Sequence, residues 1–298
     1  MHNHSVWKPD THNKEITISS TILWMIGTLM SFSLMAIGAR ELSGNISTYQ
    51  VLLVRSIIGL CVVSFLIIAA KQKGLFSTQR LRLHSLRNVF HFGGQFGWFV
   101  GIGLLPLSEV FALEFTVPLW TALLASLFLG ESLTLKKMMA IALGLLGVVI
   151  IVQPTQDVMN TGAIVVLCAA FCYAVAHTST KSLANTEAPL TILFYMCLIQ
   201  LPIGLILSWQ VWKTPSQLES AWLSLVALSA LSAHYCLTKA MKNAEVTLVM
   251  ILDFFRLPVI AVVGIVLYDE PLTFALIIGG VVMLIGNLLV TYKGRRPS

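Results

Sequence analysis

The chain has 298 residues, of which 57% are apolar and only 11% are charged, and its mean hydropathy is +0.85. Because soluble domains contain roughly 25% charged residues, this composition excludes a soluble enzyme and indicates a membrane protein with several spans. The net charge of +6 does not indicate nucleic-acid binding, because no basic patch alternates with exposed aromatic residues.

Ten apolar segments follow one another along the chain, and each is long enough to cross a bilayer as a helix. The predicted spans are residues 21–39, 48–70, 86–104, 108–129, 136–153, 162–181, 189–209, 221–240, 246–268 and 273–292. Residues 1–20 are polar and lack the features of a signal peptide, so we expect a disordered cytoplasmic tail there. We expect a second, basic cytoplasmic tail at residues 293–298.

The positions of the basic residues indicate how the spans are oriented. With the N-terminus inside, fifteen of the 19 lysines and arginines fall in cytoplasmic segments. Only Arg40 and Lys213 fall outside, and Arg55 and Arg256 lie within spans. Because cytoplasmic loops carry the excess of basic residues, this distribution predicts an even number of spans with both termini cytoplasmic. We therefore expect a multi-pass protein of a bacterial-type inner membrane.

The two halves of the predicted bundle share a motif at an offset of 139 residues. The sequence ESLT ends the fourth predicted span and EPLT ends the ninth, and the same offset places Glu114 on Asp253. Five spans per half is an odd number, so the second half must enter the membrane from the opposite side, as in transporters with inverted repeats. We therefore predict an all-α polytopic protein with one repeat at 21–153 and a second at 162–292.

Longer runs around this motif carry a family resemblance. The run LPLSEVFALEFTVPLWTALLASLFLGESLT with the following LGLLGVVIIVQP, and the run LDFFRLPVIAVVGIVLYDEPLT with the following GGVVMLIGNLLV, resemble the two repeats of the EamA family in the drug/metabolite transporter (DMT) superfamily. The LPLS turn and the DFFR block are most similar to the S-adenosylmethionine-type uptake carriers. The resemblance implies ten helices around a central cavity, lined mainly by spans 1, 3, 4, 6, 8 and 9, that opens alternately to the two membrane faces.

Ionisable residues deep within predicted spans are the first candidates for a functional site, because charges at bilayer depth are costly and usually face a cavity. Arg256 follows Asp253 by one helical turn, so the two can form a structural ion pair or a site for a charged substrate. Arg256 suits a substrate carboxylate, and Asp253 suits a cation or a proton. Glu114 is a candidate proton or amine site, or the structural partner of Arg55 or Arg256. For Arg55 we favour a pair with Glu109.

Polar and aromatic residues elsewhere in the spans complete the candidate site. Gln95 and Trp98 are candidate contacts for a polar or aromatic substrate, although Trp98 equally suits packing. His177 and His234 are either hydrogen-bonded links between helices or proton carriers near neutral pH. Tyr173 precedes His177 by one helical turn. We therefore assign substrate binding or coupling to these five residues together with the three charged ones.

Other residues suggest structural roles. Pro118 and Pro258 each remove a helical hydrogen bond and are candidate hinges, and Gly97 belongs to a stripe of small residues that allows close helix packing. Glu131 and Glu270 end their spans at opposite faces, so we expect each to close the loop to the next span and not to contact substrate. All five cysteines lie within spans, so we predict no disulfide, metal site or cofactor.

These features predict a secondary carrier for a small polar or amphipathic metabolite, with export of an amino acid or related compound as our first choice. Uptake or exchange of an S-adenosylmethionine-like solute is the alternative within the same class. An intramembrane enzyme and a channel are alternatives from other classes, but the HExxH, GxSxG and nucleotide-binding GxxxxGK[ST] motifs are absent. The expected partners are the solute, membrane lipid, and a proton or counter-substrate that drives transport.

Overall fold

The computed structural model describes residues 11–152 and 161–291, and this part of the chain folds into α-helices, short 3₁₀ helices and turns, without a strand. The α-helices are α1 (Thr11–Leu42), α2 (Thr48–Ala69), α3 (Leu81–Leu104), α4 (Leu107–Glu114), α5 (Val117–Leu129), α6 (Leu135–Val152), α7 (Thr161–Ala184), α8 (Pro189–Ser208), α9 (Gln217–Asn243), α10 (Val246–Leu252), α11 (Arg256–Tyr268) and α12 (Phe274–Thr291). The 3₁₀ helices are Lys73–Phe76, Trp209–Val211 and Asp253–Phe255. The predicted all-α class is confirmed.

Six segments of this helical bundle are long and apolar enough to cross a membrane. They are Ser20–Leu42, Thr48–Ala69, Thr161–Ala184, Pro189–Val211, Gln217–Asn243 and Val246–Tyr268. Large apolar side chains also point outward, and Leu127, Phe128 and Ile206 are exposed over 76%, 74% and 75% of their surface. Such an exterior is unfavourable in water but suits lipid, because acyl chains are as apolar as leucine. The protein is therefore an integral membrane protein.

The helices begin and end close to the predicted span limits, with one clear difference at the N-terminus. Helix α1 begins at Thr11, so residues 11–20, which we expected to be disordered, continue the first helix. Extending an existing helix is much easier than starting one, so a helix anchored in the membrane can continue into a polar segment. The predicted basic tail at 293–298 lies outside the described residues.

Two of the predicted spans are broken near their centres. The fourth span consists of α4 and α5 with a two-residue break, and the ninth consists of α10 and α11 joined by a 3₁₀ turn. The cause lies in the sequence, because Pro118 has no N–H to bond the carbonyl of Glu114, and Pro258 likewise cannot bond that of Phe254. The breaks therefore precede the two prolines identified as candidate hinges. They place Glu114 and Asp253 at helix ends in the interior of the bundle.

The two broken helices are equivalent at the offset of 139 residues. Helices α5 and α11 both begin and end at positions that are 139 apart. Each is followed by a residue in the left-handed conformation, Gly130 with φ 68° and Asp269 with φ 52°. Glycine adopts this conformation without strain and aspartate tolerates it, so the helix ends there and the chain turns. The repeat inferred from the short motif is thus present in the backbone.

The two halves pack against each other reciprocally, as units related by an approximate two-fold rotation do. Helix α1 packs on α9 while its counterpart α7 packs on α3, α2 packs on α8, and α6 packs on α12. A Cβ added to Gly147 would lie 2.7 Å from the carbonyl oxygen of Gly279, and one added to Gly286 would lie 3.0 Å from that of Ala140. These two contacts exchange under the repeat. Gly97 of α3 lies at a similar close contact, with α7.

A pair of charged side chains holds the turn between α3 and α4. Arg40, at the end of α1, donates through Nη1 to the carbonyl oxygens of Ile102 at 2.7 Å and Leu105 at 3.1 Å. Glu270 accepts a hydrogen bond at 2.9 Å from the N–H of Leu107. A cation at the C-terminal end of one helix and a carboxylate at the N-terminal end of the next complement the partial charges of those helix ends. We call Arg40 and Glu270 the first clamp.

The second clamp, Lys181 and Glu131, holds the turn between α9 and α10 in the same way. Lys181 donates through Nζ to the carbonyl oxygens of Met241 and Ala244, both at 2.7 Å, and Glu131 accepts from the N–H of Val246 at 2.8 Å. All three backbone groups lie 139 residues after those held by the first clamp. Each glutamate therefore reaches the broken helix of the other repeat, whereas we expected it to close the loop to its own next span.

Candidate functional site

A cavity with about 400 Å³ of empty volume lies beside the breaks in the two discontinuous helices, and we call it the central cavity. Its volume is in the range of small-molecule sites. It is lined by all eight residues that we assigned to substrate binding or coupling, namely Gln95, Trp98, Glu114, Tyr173, His177, His234, Asp253 and Arg256. The lining is completed by Phe32, Met35, Arg55, Leu237 and Met250. All the spans expected around the cavity contribute to it, and Arg55 adds the second span.

Equivalent positions of the two repeats line the central cavity together. Three pairs of lining residues are 139 positions apart, namely Gln95 with His234, Trp98 with Leu237, and Glu114 with Asp253. The approximate two-fold axis therefore passes through the cavity. Only the third pair has the same chemistry on both sides, so the symmetric backbone presents an asymmetric set of side chains to a solute.

Arg256 is held between two carboxylates, and we call Arg256, Glu114 and Asp253 the buried triad. The Nη2 of Arg256 donates to Glu114 Oε1 at 2.8 Å and to Asp253 Oδ2 at 2.6 Å. None of the three residues is more than 9% exposed. The indole Nε1 of Trp98 donates to the other carboxylate oxygen of Glu114 at 2.7 Å. The predicted pair of Asp253 and Arg256 is therefore confirmed, and Arg256 is also the ion-pair partner of Glu114.

The guanidinium of Arg256 also lies against aromatic rings. Its Cζ is 4.8 Å from the ring centre of Phe32, 5.0 Å from that of Phe111 and 6.0 Å from that of Phe115. Contacts between a cation and the face of an aromatic ring stabilise a charge that water does not reach. The sequence did not identify Phe32, because an aromatic residue within an apolar span carries no distinguishing signal.

Two polar atoms of the buried triad, Asp253 Oδ1 and Arg256 Nε, have no hydrogen-bond partner among the described residues. Buried polar atoms are nearly always paired with protein or water. Because Asp253 lines the central cavity, its free oxygen is available to a solute or a proton there. With both carboxylates ionised, the triad carries one net negative charge.

His91 connects polar residues beside the central cavity. Its Nδ1 lies 2.8 Å from the amide nitrogen of Gln95 and 2.9 Å from that of Gln200. Its ring packs against that of His234 with 4.6 Å between the centres. An Nδ1 that accepts from an amide carries no proton, so these contacts assign the proton of the His91 ring to Nε2. The histidines and amides thus form one neutral network that links α3, α8 and α9.

Arg55 does not form the pair that we expected with Glu109. Its Nη2 donates to Gln200 Oε1 at 3.3 Å, and its Nη1 has no partner within the described ranges. The side chain is buried and lines the central cavity. At this depth only the interior of the bundle offers polar groups to a guanidinium, because the surrounding lipid offers none. The structure therefore adds Arg55 to the candidate site.

The lining offers charged groups, amides and aromatic rings. In residues 11–152 and 161–291, no group of three or more His, Cys, Asp or Glu side chains is arranged to hold a metal ion. The five cysteines are free. Such a lining suits a polar organic solute that is held by ionic contacts, hydrogen bonds and ring faces.

Comparison with known proteins gives the family. The profile of the EamA-like transporter family matches residues 19–153 and again residues 160–292. The chain belongs to the EamA-like transporter family. The two matched segments coincide with the repeats predicted at 21–153 and 162–292. The protein is thus a member of a transporter family, and the resemblance noted in the sequence is confirmed.

Relatives that extend along most of the chain are transporters of different solutes. The S-adenosylmethionine uptake transporter of Rickettsia prowazekii is 22% identical over 280 residues, which cover 94% of this chain and 95% of that protein. The riboflavin transporter of Vibrio cholerae is 25% identical over 247 residues, which cover 81% and 83%. A protein of known crystal structure shares the fold, with a TM-score of 0.74 and 20% identity over 92% of this chain and 96% of that one.

Neutralising one member of the buried triad should destabilise the protein more than neutralising all three. Arg256→Met leaves two buried carboxylates without their cation, and breaking a buried ion pair in this way costs about 3–5 kcal/mol. Adding Glu114→Gln and Asp253→Asn removes the uncompensated charge and should recover most of that loss. The measurement is the thermal unfolding midpoint of the variants purified in detergent. Equal midpoints for the single and the triple variant would contradict an ion triad.

Proposed function

We propose that this protein is a secondary carrier that moves a small polar metabolite across the membrane by alternating access through the central cavity. The proposal is carried by the buried triad, whose ionisable groups line a cavity at the breaks of two repeat-related helices. Charges at bilayer depth usually serve transport, and breaks in paired helices are typical of carrier substrate sites. In this proposal the polar and aromatic lining residues contact the solute, namely Gln95, Trp98, Tyr173, His177 and His234.

The members of the triad take different parts. The net negative charge suits a solute with an ammonium or sulfonium group, which Asp253 meets through its free Oδ1. Glu114 binds the same cationic group or a coupling proton. Arg256, which we expected to bind a substrate carboxylate, already has two carboxylates as partners. Its proposed role is to hold Glu114 and Asp253 at one point of the cavity.

An S-adenosylmethionine-like solute is the second candidate, and one observation favours it. A relative that aligns with 94% of this chain is named an S-adenosylmethionine uptake transporter. S-adenosylmethionine carries a sulfonium and an ammonium group, so a cavity with anionic and aromatic groups suits its chemistry. Export, our first choice from the sequence, and uptake differ only in the gradient that drives the same cycle. A proton or a counter-substrate then sets the direction.

We also propose ten spans as two inverted repeats, with both termini on the cytoplasmic side of a bacterial-type inner membrane. The four spans beyond the six long apolar segments are α3, α4 with α5, α6, and α12. The distribution of basic residues supports this orientation. A phosphatase fused within residues 43–47 should be active outside the cell, and one fused after Ser298 should be inactive. An active phosphatase after Ser298 would contradict the even number of spans.

Counterflow into liposomes tests the carrier. Liposomes that contain the purified protein and an unlabelled metabolite, chosen by a thermal-shift screen, should transiently accumulate the labelled metabolite. Glu114→Gln, Asp253→Asn and Arg256→Ala should each lower the rate by about tenfold or more, because each removes a charge-assisted hydrogen bond in the cavity. Glu109→Gln is the matched control, because Glu109 lies on α4 as Glu114 does but does not line the central cavity.

The outcomes separate the classes of function. Normal counterflow by all three folded variants would reject the site, while the carrier function would stand. Recovery of a chemically altered solute would indicate an enzyme, and flux that does not saturate would indicate a channel. A wild-type protein that accumulates its solute saturably and intact supports the carrier.

A further inference from the structure

We propose that Arg55 binds a carboxylate of the transported solute, so that the solute is a zwitterion with its cationic group at the buried triad. This proposal rests on the proposed carrier function and names the class of its substrate. Arg55 lines the same central cavity as Glu114 and Asp253. Unlike Arg256, it has no carboxylate beside it in the part of the chain that the structure describes.

Arg55 is a buried cation without an acidic partner. It is only 4% exposed, and none of the ion pairs among the described residues includes it. A guanidinium stays charged even when buried, so an uncompensated Arg55 at bilayer depth is costly until an anion binds there. Its Nη1, which donates to no atom of these residues, is available to that anion.

Neutral groups position the Arg55 side chain. Gln200 Oε1 accepts from Arg55 Nη2 at 3.3 Å, and the Gln200 amide nitrogen lies 2.9 Å from His91 Nδ1 and 3.4 Å from the carbonyl oxygen of Asn88. These contacts orient the guanidinium without cancelling its charge. A guanidinium held by one nitrogen, with another left free, is suited to a carboxylate.

The charges that line the central cavity fall into two groups. The buried triad carries one net negative charge and Arg55 carries one positive charge, so the lining is neutral overall when both carboxylates are ionised. A zwitterion leaves this balance unchanged. A solute with a single charge adds an uncompensated charge to the membrane interior, which is unfavourable. The cavity therefore favours a solute that carries both a carboxylate and an ammonium or sulfonium group.

The test compares matched solutes that differ only in the carboxylate. The probes are S-adenosylmethionine, methionine, tryptophan and lysine, each with its decarboxylated amine, and riboflavin as a solute without either charge. Binding by thermal shift and counterflow are measured for the full-length protein, Arg55→Gln and Arg55→Lys. In the wild type, loss of the carboxylate should weaken binding of the transported solute by about 10- to 100-fold. Arg55→Gln should remove this preference, and Arg55→Lys should keep part of it.

The results distinguish the two levels of the proposal. Equal binding of a zwitterion and its amine by the wild type, or transport of riboflavin alone, would overturn the role of Arg55 and leave the carrier function intact. A preference for the carboxylate that survives in folded Arg55→Gln would also overturn it. If the folded wild type moves none of the probes saturably, the carrier function itself is contradicted. Should Arg55→Gln not fold, the comparison of solutes in the wild type decides.

The two clamps carry a second proposal independently: we infer that they are the gates on the two membrane faces. In the proposed topology the first clamp, Arg40 and Glu270, closes the α3–α4 turn at the outer face. The second clamp, Lys181 and Glu131, closes the α9–α10 turn at the cytoplasmic face. Both clamps are formed in this structure, which therefore corresponds to a state closed on both sides.

The geometry of the clamps suits repeated opening. Each clamp binds backbone groups at helix ends, which water can satisfy when the turn moves away. Each also joins an end of one repeat's broken helix to the start of the other's, through Glu270 to α4 and through Glu131 to α10. Opening one clamp therefore separates the two broken helices, which contribute the buried triad, on one side only. Alternating access requires one such release at each face.

Access to a single cysteine in the central cavity tests the gates. Met35→Cys is introduced after the five native cysteines are replaced, because Met35 lines the cavity. A membrane-impermeant maleimide is then applied to right-side-out and inverted vesicles. Arg40→Gln and Glu270→Gln should speed labelling by about tenfold from the outer face only, since each removes a charge-assisted hydrogen bond. Lys181→Gln and Glu131→Gln should do so from the cytoplasmic face only. Unchanged labelling, or an equal rise from both faces, would overturn the gates.

Discussion

The burial of charge in a medium without water is the constraint on which the rest of the structure depends. Arg256 needs anionic partners within hydrogen-bond distance, and Glu114 and Asp253 supply them at 2.8 Å and 2.6 Å. These two carboxylates come from different repeats, and each lies where its helix is interrupted. The prolines that cause the interruptions, Pro118 and Pro258, therefore also determine where the charges lie. The cavity, its aromatic contacts and its proposed function all follow from this arrangement.

The repeat is symmetric in backbone but asymmetric in charge. Glu114 and Asp253 occupy equivalent positions, whereas Arg256 corresponds to Val117, and Arg55 corresponds to Phe194. A pseudo-symmetric scaffold with equivalent clamps at both ends suits a cycle between two states of similar energy. The arginines have no counterpart in the other repeat, so they are the groups that give the cavity its direction. We associate the symmetric features with the transport cycle and the asymmetric ones with the choice of solute.

Much of the candidate site could be predicted because buried polar groups in a membrane protein need a reason. Each of the eight candidate residues that line the cavity is a polar or aromatic residue within an apolar span, and that signal is local. Arg55 carried the same signal, but its partner was wrongly predicted, because sequence spacing does not tell which of two distant helices a side chain faces. Phe32 carried no signal, since its role depends only on its contact with Arg256.

The amino-acid sequence by itself determined the membrane class, the helical segments, the two repeats and the positions of the helix breaks. These depend on hydropathy, chain offset and the missing N–H of proline, which are properties of neighbouring residues. Only the tertiary structure decided that Arg256 has two carboxylates as partners, that Arg55 has none, and that Glu131 and Glu270 reach across to the other repeat. Such pairings join residues more than a hundred positions apart, and they are selected by the packing of whole helices, which no local pattern encodes.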